Sequence, residues 1–279
     1  MKFTVEADWL RNNLTEKVVR VIDCRFELAR PEAGQKQFEA GHIPGSVYFD
    51  LEKDLSASVK QHGGRHPLPD LDVFKEKLEK AGIGNNTTVV AYDNGEGAFA
   101  GRLWWLISYM GHENVYILNG GMKAWLEQDY PITTELPAYE KTLFNYKVNS
   151  AIAASYEEVK AIVQANNNGV VLIDSREHKR FTGEVEPIDK KSGHIPGAIN
   201  KVWASGLVNG RFKDAEEQKE RFSELDPNKQ YIVYCGSGVT ATPNFLALKA
   251  AGFQNVKLYP GSFSDWISYD DNKVCTIKE

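Results

Sequence analysis

Residues 231–243 read YIVYCGSGVTATP. Tyr231 to Tyr234 are all β-branched or aromatic, the composition of a buried strand. The run then breaks into a glycine-flanked turn, Cys235-Gly236-Ser237-Gly238-Val239-Thr240. Pro243 follows where a helix can begin, since a proline in the first turn gives up no helical hydrogen bond. Strand, tight turn and helix in that order are the local signature of a parallel α/β sheet. Residues 87–103, TTVVAYDNGEGAFAGRL, have the same layout with Asp93 where the cysteine stands.

This pair belongs to a longer duplication. VIDCR at 21–25 recurs as LIDSR at 172–176, offset by 151, and GHIPGSV at 41–47 recurs as GHIPGAI at 193–199, offset by 152. Asp93 and Cys235 are offset by 142, and Asn114 through Trp125 recurs as Asn255 through Trp266, offset by 141. Four markers in one order mean a duplicated domain. The fall from 152 to 142 leaves about ten extra residues in the first repeat, within the loop 52–70 that contains QHGGRHPLPD.

Both repeats alternate short apolar runs with helical patterns. Runs at 18–22, 87–92 and 115–118, and at 170–173, 231–234 and 256–259, read as buried strands. Leu103, Leu106, Ile107 and Met110 share one helical face, as do Tyr156, Val159, Ile162 and Val163 behind a Ser155-x-x-Glu158 capping box. The expectation is two tandem α/β domains, each a mostly parallel sheet covered by helices on both faces. Their limits are read as 1–130 and 149–279. A linker over 131–148, punctuated by Pro131 and Pro137, carries Tyr139, Phe144 and Tyr146 and is expected to pack across the domains.

Composition narrows the function. The 279 residues are 42% hydrophobic, enough for a sizeable core, and the net charge of −5 shows no basic footprint for nucleic acid. No apolar run approaches the roughly 18–20 residues of a spanning helix, so no membrane partner is expected. The opening MKFTVEADWLRNNL lacks a basic stretch followed by an apolar core, and three scattered cysteines are no disulfide framework. A cytoplasmic protein is expected. His62 and His66 lack a convincing ligand set, so neither a metal nor an organic cofactor is expected.

At the carboxyl end of a parallel strand, a turn into a helix directs backbone N–H groups into the loop's centre, a natural anion site. Gly236 and Gly238 permit the backbone conformations such a ring needs. A thiol in that ring is favoured as thiolate, with Ser237 and Thr240 hydroxyls as further donors, so Cys235 reads as a nucleophile. Cys24, at a strand end, and Cys275, on a terminal segment, read as structural. Asp93 cannot act as a thiolate, so the first repeat reads as catalytically silent. A phosphatase cradle of the Cys-x5-Arg type is excluded, because the residue six beyond Cys235 is Ala241.

The whole pattern resembles the tandem-domain rhodanese-like sulfurtransferases. VIDCR and LIDSR, both GHIPG motifs, CGSGVTA, and the NGGMKAW and PGSFSDW turns carry the resemblance over nearly the whole chain. It implies that Cys235 takes a sulfane sulfur from a donor as a persulfide and passes it to cyanide or a thiol. A thioredoxin-like reductant is among the partners it implies. Gly236-Ser237-Gly238 resembles the 3-mercaptopyruvate branch rather than the thiosulfate branch. That branch also implies a relay of Ser237, His66 in HPLP and an acid, Glu52 in FDLE with Asp54 as alternative. Arg180 in KRFTG matches the arginine that holds the donor's anionic group, with Gly236, Gly238, Val239 and Thr240 forming the rest of the donor site. A second arginine of that branch is missing from VEPIDKKSGHIPG, where only Lys190 and Lys191 are basic, and lysine is a point charge without the bidentate fork. His42 and His194, inside the GHIPG turns, read as structural. The alternative reading is a sulfur-relay protein whose acceptor is a partner protein's cysteine. A silent binding module is the third reading, against which the intact Cys235 loop speaks.

Overall fold

A computed structural model describes residues 3–165 and 169–277; the outer limits 1 and 279 of the expected domains lie outside the described residues. The Val- and Ile-rich runs form strands. In the first repeat these are β1 (Thr4–Val5), β2 (Val19–Asp23), β3 (Ser46–Tyr48), β4 (Thr88–Tyr92) and β5 (Val115–Leu118). They alternate with helices α1 (Ala7–Asn13), α2 (Ala33–Ala40), α3 (Leu71–Lys80), α4 (Ala98–Tyr109) and α5 (Gly121–Leu126). The second repeat holds α6 (Tyr156–Ala165), β6 (Val170–Asp174), α7 (His178–Thr182) and β7 (Ile199–Asn200). Two-residue strands β8 (Leu207–Val208) and β9 (Arg211–Phe212) precede α8 (Ala215–Arg221), β10 (Gln230–Tyr234), α9 (Ala241–Ala250), β11 (Val256–Leu258) and α10 (Ser262–Trp266).

The first sheet runs β1-β5-β4-β2-β3 and the second β11-β10-β6-β7, with every neighbouring pair parallel. Successive side chains of a strand point to opposite faces. Val89, Val90, Ala91 and Tyr92 are nevertheless all fully buried, as are Ile232, Val233 and Tyr234, so both faces of each sheet are covered. The stripe Leu103, Leu106, Ile107 and Met110 is buried as its spacing requires. Ser155 Oγ accepts the Glu158 N–H at 3.2 Å and starts α6.

The repeated motifs prove to be parts of one device. In the second repeat Arg176 donates to Asp174 and, through Nη2, to the carbonyl of Gly193 at 2.6 Å. Arg25 does the same to Asp23 and to Gly41 at 2.8 Å in the first. The strand-end Asp-x-Arg therefore grips the GHIPG turn in each repeat. Tyr92 and Tyr234, each one residue before the Asp93 or Cys235 position, accept the N–H of Ile43 and Ile195 at 3.3 and 3.2 Å. His42 and His194 meet the carbonyls of Phe38 and Phe181 through Nδ1, both at 2.8 Å, and stack on those rings. A buried ion pair with its remaining hydrogen bonds filled loses about 3–5 kcal/mol when one partner is removed. The central strand end is thus held firmly under the loop that follows it.

Two compact units result: Met1–Ala57, Pro69–Asn149 and Asn209–Phe212 in one, Ser58–Leu68, Ser150–Val208 and Lys213–Glu279 in the other. Part of the first repeat's extra loop, Ser58–Leu68, therefore clusters with the second repeat. The segment read as a linker clusters with the first unit, and its aromatic side chains have partners there. Tyr139 donates its hydroxyl to Gly45 O at 2.7 Å with Arg20 over its ring, Phe144 is buried, and Tyr146 reaches Asp72 at 2.9 Å. An aromatic ring with a satisfied hydroxyl packs wherever a ridge and an acceptor coincide, and both lie on the first unit.

Candidate active site

The first unit shows what the strand–turn–helix loop does with an anion. Asp93 is buried, and its Oδ1 accepts the N–H groups of Gly95 and Gly97 at 2.9 and 3.0 Å. Its Oδ2 accepts those of Phe99 and Ala100 at 3.1 and 3.2 Å. Four main-chain donors thus converge on one negative group, each stronger for the charge it meets.

In the second unit the loop after the central strand β10 begins with Cys235, which is 1% exposed. Each loop holds a left-handed glycine, Gly97 four residues after Asp93 at φ 72° and Gly238 three after Cys235 at φ 74°. The loop is braced from behind by the turn after β11. Cys235 donates its N–H to Ser262 Oγ at 3.2 Å, and its carbonyl accepts the Phe263 N–H at 3.0 Å. Gly236 O accepts the Ser264 N–H at 2.9 Å. Gly238 presses on Pro260, where a β-carbon would stand 2.1 Å from the carbonyl oxygen. The other cysteines differ. Cys24 is buried, and burial followed by the nearby Asp23 and Asp93 carboxylates pushes its thiol well up, which keeps it protonated. Cys275 is exposed and free, on the segment bridged to His194.

The loop Ser58–Leu68 is fastened along this unit and delivers two side chains to Cys235. His62 stacks on Tyr269, which stacks on Tyr156, and His62 Nδ1 meets Ser268 Oγ at 2.8 Å. Gly63 donates to Asp265 Oδ1 at 2.7 Å and Arg65 donates its N–H to Ser264 Oγ at 3.1 Å. His66, 5% exposed, then lies with Nδ1 2.7 Å from Ser237 Oγ. Ser237 and His66 are thus brought together. Glu52 is not part of that pair's unit: it is exposed on the first unit, its N–H on Asp50 Oδ1 at 2.9 Å. Asp54, on the same unit, is ion-paired with Lys77 and accepts the Asp50 N–H at 2.7 Å.

Arg180 extends from α7 toward the loop. Its guanidinium is forked on Glu186, at 2.8 and 3.1 Å, and reaches Asp189 at 2.9 Å. Gly236 faces this group: a β-carbon there would lie 2.7 Å from Arg65 Nη2 and 3.5 Å from Arg180 Nη2. Val239 is buried and Thr240 half-buried at the start of α9. Arg65 is the functional candidate that sequence reading passed over. It pairs with Asp189, 124 residues away in the chain. Burial pulls its guanidinium down, while the charge of Cys235 pulls it up. The available signal was its place beside His66 in GGRHPLPD. Among the described residues no group of three or more His, Cys, Asp or Glu gathers to hold a metal ion, and no helix is long and apolar enough to cross a membrane.

Comparison with known proteins agrees with this architecture. The rhodanese-like domain model matches twice, over residues 6–128 and 155–269. The "probable 3-mercaptopyruvate sulfurtransferase" of Pseudomonas aeruginosa is 40% identical over 276 residues, covering 97% of this chain and 96% of that one. The thiosulfate sulfurtransferase of Rattus norvegicus is 31% identical over 270 residues, covering 93% and 89%. The crystal structure of SseA from Escherichia coli, a 3-mercaptopyruvate enzyme, superposes with a TM-score of 0.84 at 32% identity, covering 95% of this chain and all of that one.

Proposed function

This chain belongs to the rhodanese-like family and is a sulfurtransferase, and from that premise we propose that Cys235 carries the transferred sulfur as a persulfide. The observation that carries the reading is the Asp93 carboxylate on four main-chain N–H groups, because in the second repeat a thiol directly follows the central strand as that carboxylate does in the first. A ring that stabilises a carboxylate stabilises a thiolate, and afterwards the negative outer sulfur of a persulfide.

The Cys235 thiolate attacks the donor's outer sulfur and forms an S–S bond. From 3-mercaptopyruvate the C–S bond breaks and its electrons leave on the pyruvate enolate. From thiosulfate the S–S bond breaks and sulfite leaves. The enolate needs a proton, and the 2.7 Å contact of His66 Nδ1 with Ser237 Oγ supports its delivery by that pair. Arg180 meets the donor's anionic group, while the backbone of Gly236, Gly238, Val239 and Thr240 encloses the sulfur. An acceptor nucleophile then attacks the outer sulfur and returns the Cys235 thiolate. Cyanide, a small thiol or a thioredoxin-like reductant fits this step. The 1–130 domain is silent in this scheme, and the 149–279 domain works together with the Ser58–Leu68 loop across the 131–148 linker.

Intact-mass measurement after exposure to each donor tests the proposal. One added sulfur is expected on the native chain and none on Cys235→Ser. Sulfur retained by Cys235→Ser would overturn it.

A further inference from the structure

The carboxylate of Asp189 has an unusual position. Its side chain is only 2% exposed, yet it sits on a surface segment whose neighbours Ile188 and Lys190 are exposed. One oxygen pairs with Arg65 and the other with Arg180 at 2.9 Å, so a single carboxylate bridges two guanidiniums. Oδ2 also stands 3.5 Å from where a β-carbon of Gly236 would be, beside the residue that follows Cys235. We propose that Arg65 and Arg180 together form the seat for the donor's anionic group, and that Asp189 fills this seat until a donor displaces it. The proposal rests on the reading of Cys235 as the sulfur acceptor.

Charge balance supports an exchange rather than an addition. Arg65, Arg176 and Arg180 are matched one for one by Asp174, Glu186 and Asp189. A donor anion added to this neutral group, beside a thiolate, gains no net attraction. With Asp189 out of the way, one positive charge is uncovered next to the sulfur. Glu186 is a different kind of partner: it is forked on Arg180 and also holds Arg176 at 3.1 Å, so it orients the arginine and stays. Asp189 has somewhere to go. A cavity of about 470 Å³ opens beside it, lined by Arg65, Lys190 and Lys191, and either lysine can receive the displaced carboxylate. The arginine missing before GHIPG is thus replaced by one from the first repeat's loop. Asp189 makes donor entry a competition between anions.

Sulfite and pyruvate, the anions the two donors leave behind, serve as probes that need no turnover. Asp189→Asn is expected to bind both more tightly by calorimetry, by about tenfold for sulfite, the more highly charged, and by less for pyruvate. KM for thiosulfate should fall further than KM for 3-mercaptopyruvate. Arg65→Gln should weaken both anions by roughly tenfold or more, the loss expected for a charge-assisted hydrogen bond, and Arg65→Lys should restore only part. Binding within twofold of the native chain in Asp189→Asn, or in Arg65→Gln if the first variant does not fold, would overturn the proposal. If no donor leaves sulfur on Cys235 while Asp189→Asn still tightens sulfite, the anion seat stands and the sulfurtransfer reading of Cys235 falls. Normal sulfur uptake with unchanged anion binding means the reverse.

Discussion

Replacing Gly238 by alanine tests whether the cysteine loop depends on the turn behind it. Gly238 sits at φ 74°, a region that costs a residue with a β-carbon about 1–2 kcal/mol. Alanine recovers about 0.4–1 kcal/mol by restricting the unfolded chain, so backbone conformation alone leaves about 1 kcal/mol or less. The larger effect is steric. The new β-carbon would lie 2.1 Å from Pro260 O and 2.9 Å from its carbonyl carbon, and both belong to backbone that cannot rotate aside. The carbonyl has to recede by about 1 Å, an overpacking that costs about 1–3 kcal/mol. The sum for Gly238→Ala is about 1–4 kcal/mol. Gly197 supplies the control, because it sits at φ 79° with nothing within 4 Å of a β-carbon. Gly197→Ala should therefore cost about 1 kcal/mol or less. Pro260 is two residues before Ser262, whose hydroxyl holds the Cys235 N–H, so the displacement also reaches the main chain at Cys235. Urea unfolding of both variants, with the rate of sulfur uptake followed by mass, measures both effects. A Gly238→Ala protein as stable as Gly197→Ala, and as fast in uptake as the native chain, would refute the reasoning.

Ser237→Ala and His66→Ala should slow turnover of 3-mercaptopyruvate by about a hundredfold and that of thiosulfate far less, since only the first leaves an enolate to protonate; equal losses with both donors would remove the relay. Asp93→Ala strands four N–H groups, three of them buried, and should destabilise the first unit by about 2–4 kcal/mol without slowing uptake at Cys235, which calorimetry and mass measurement check. Glu79 is held by Lys75, the Phe144 N–H and Lys141, which pushes its carboxyl down from 4.5 to about 2. Its contribution is therefore complete above the ordinary carboxylate range and disappears as pH falls from about 5 toward 2. Acid titration of the Glu79→Gln protein should show a shallower loss of stability in that window, and an unchanged slope would contradict the assignment.

The legible parts of the chain are those whose partners lie close in sequence. Asp174 and Arg176 are two residues apart, and Gly193 follows within the same repeat, so their shared task leaves a motif that recurs as Asp23, Arg25 and Gly41. The buried strands are legible because burial on both faces demands unbroken apolar runs. Cys235 stands out because glycines flank it, and Gly238 is fixed as glycine by the Pro260 carbonyl. Arg65 is illegible for the opposite reason. Its partner is 124 residues away, and an arginine in a polar loop looks like any solvated charge. The linker's course was equally hidden, since Tyr139, Phe144 and Tyr146 declare that they pack but not on what.

The loop Ser58–Leu68 is written in one repeat and clusters with the other. A gene fragment cut at the linker would encode the nucleophile and lose both Arg65 and His66. Any exchange of halves between relatives would likewise carry Cys235 to a new host and leave His66 behind. If the proposed pair of Ser237 and His66 does the chemistry, the duplication is no longer divisible, because its two members are written in different repeats.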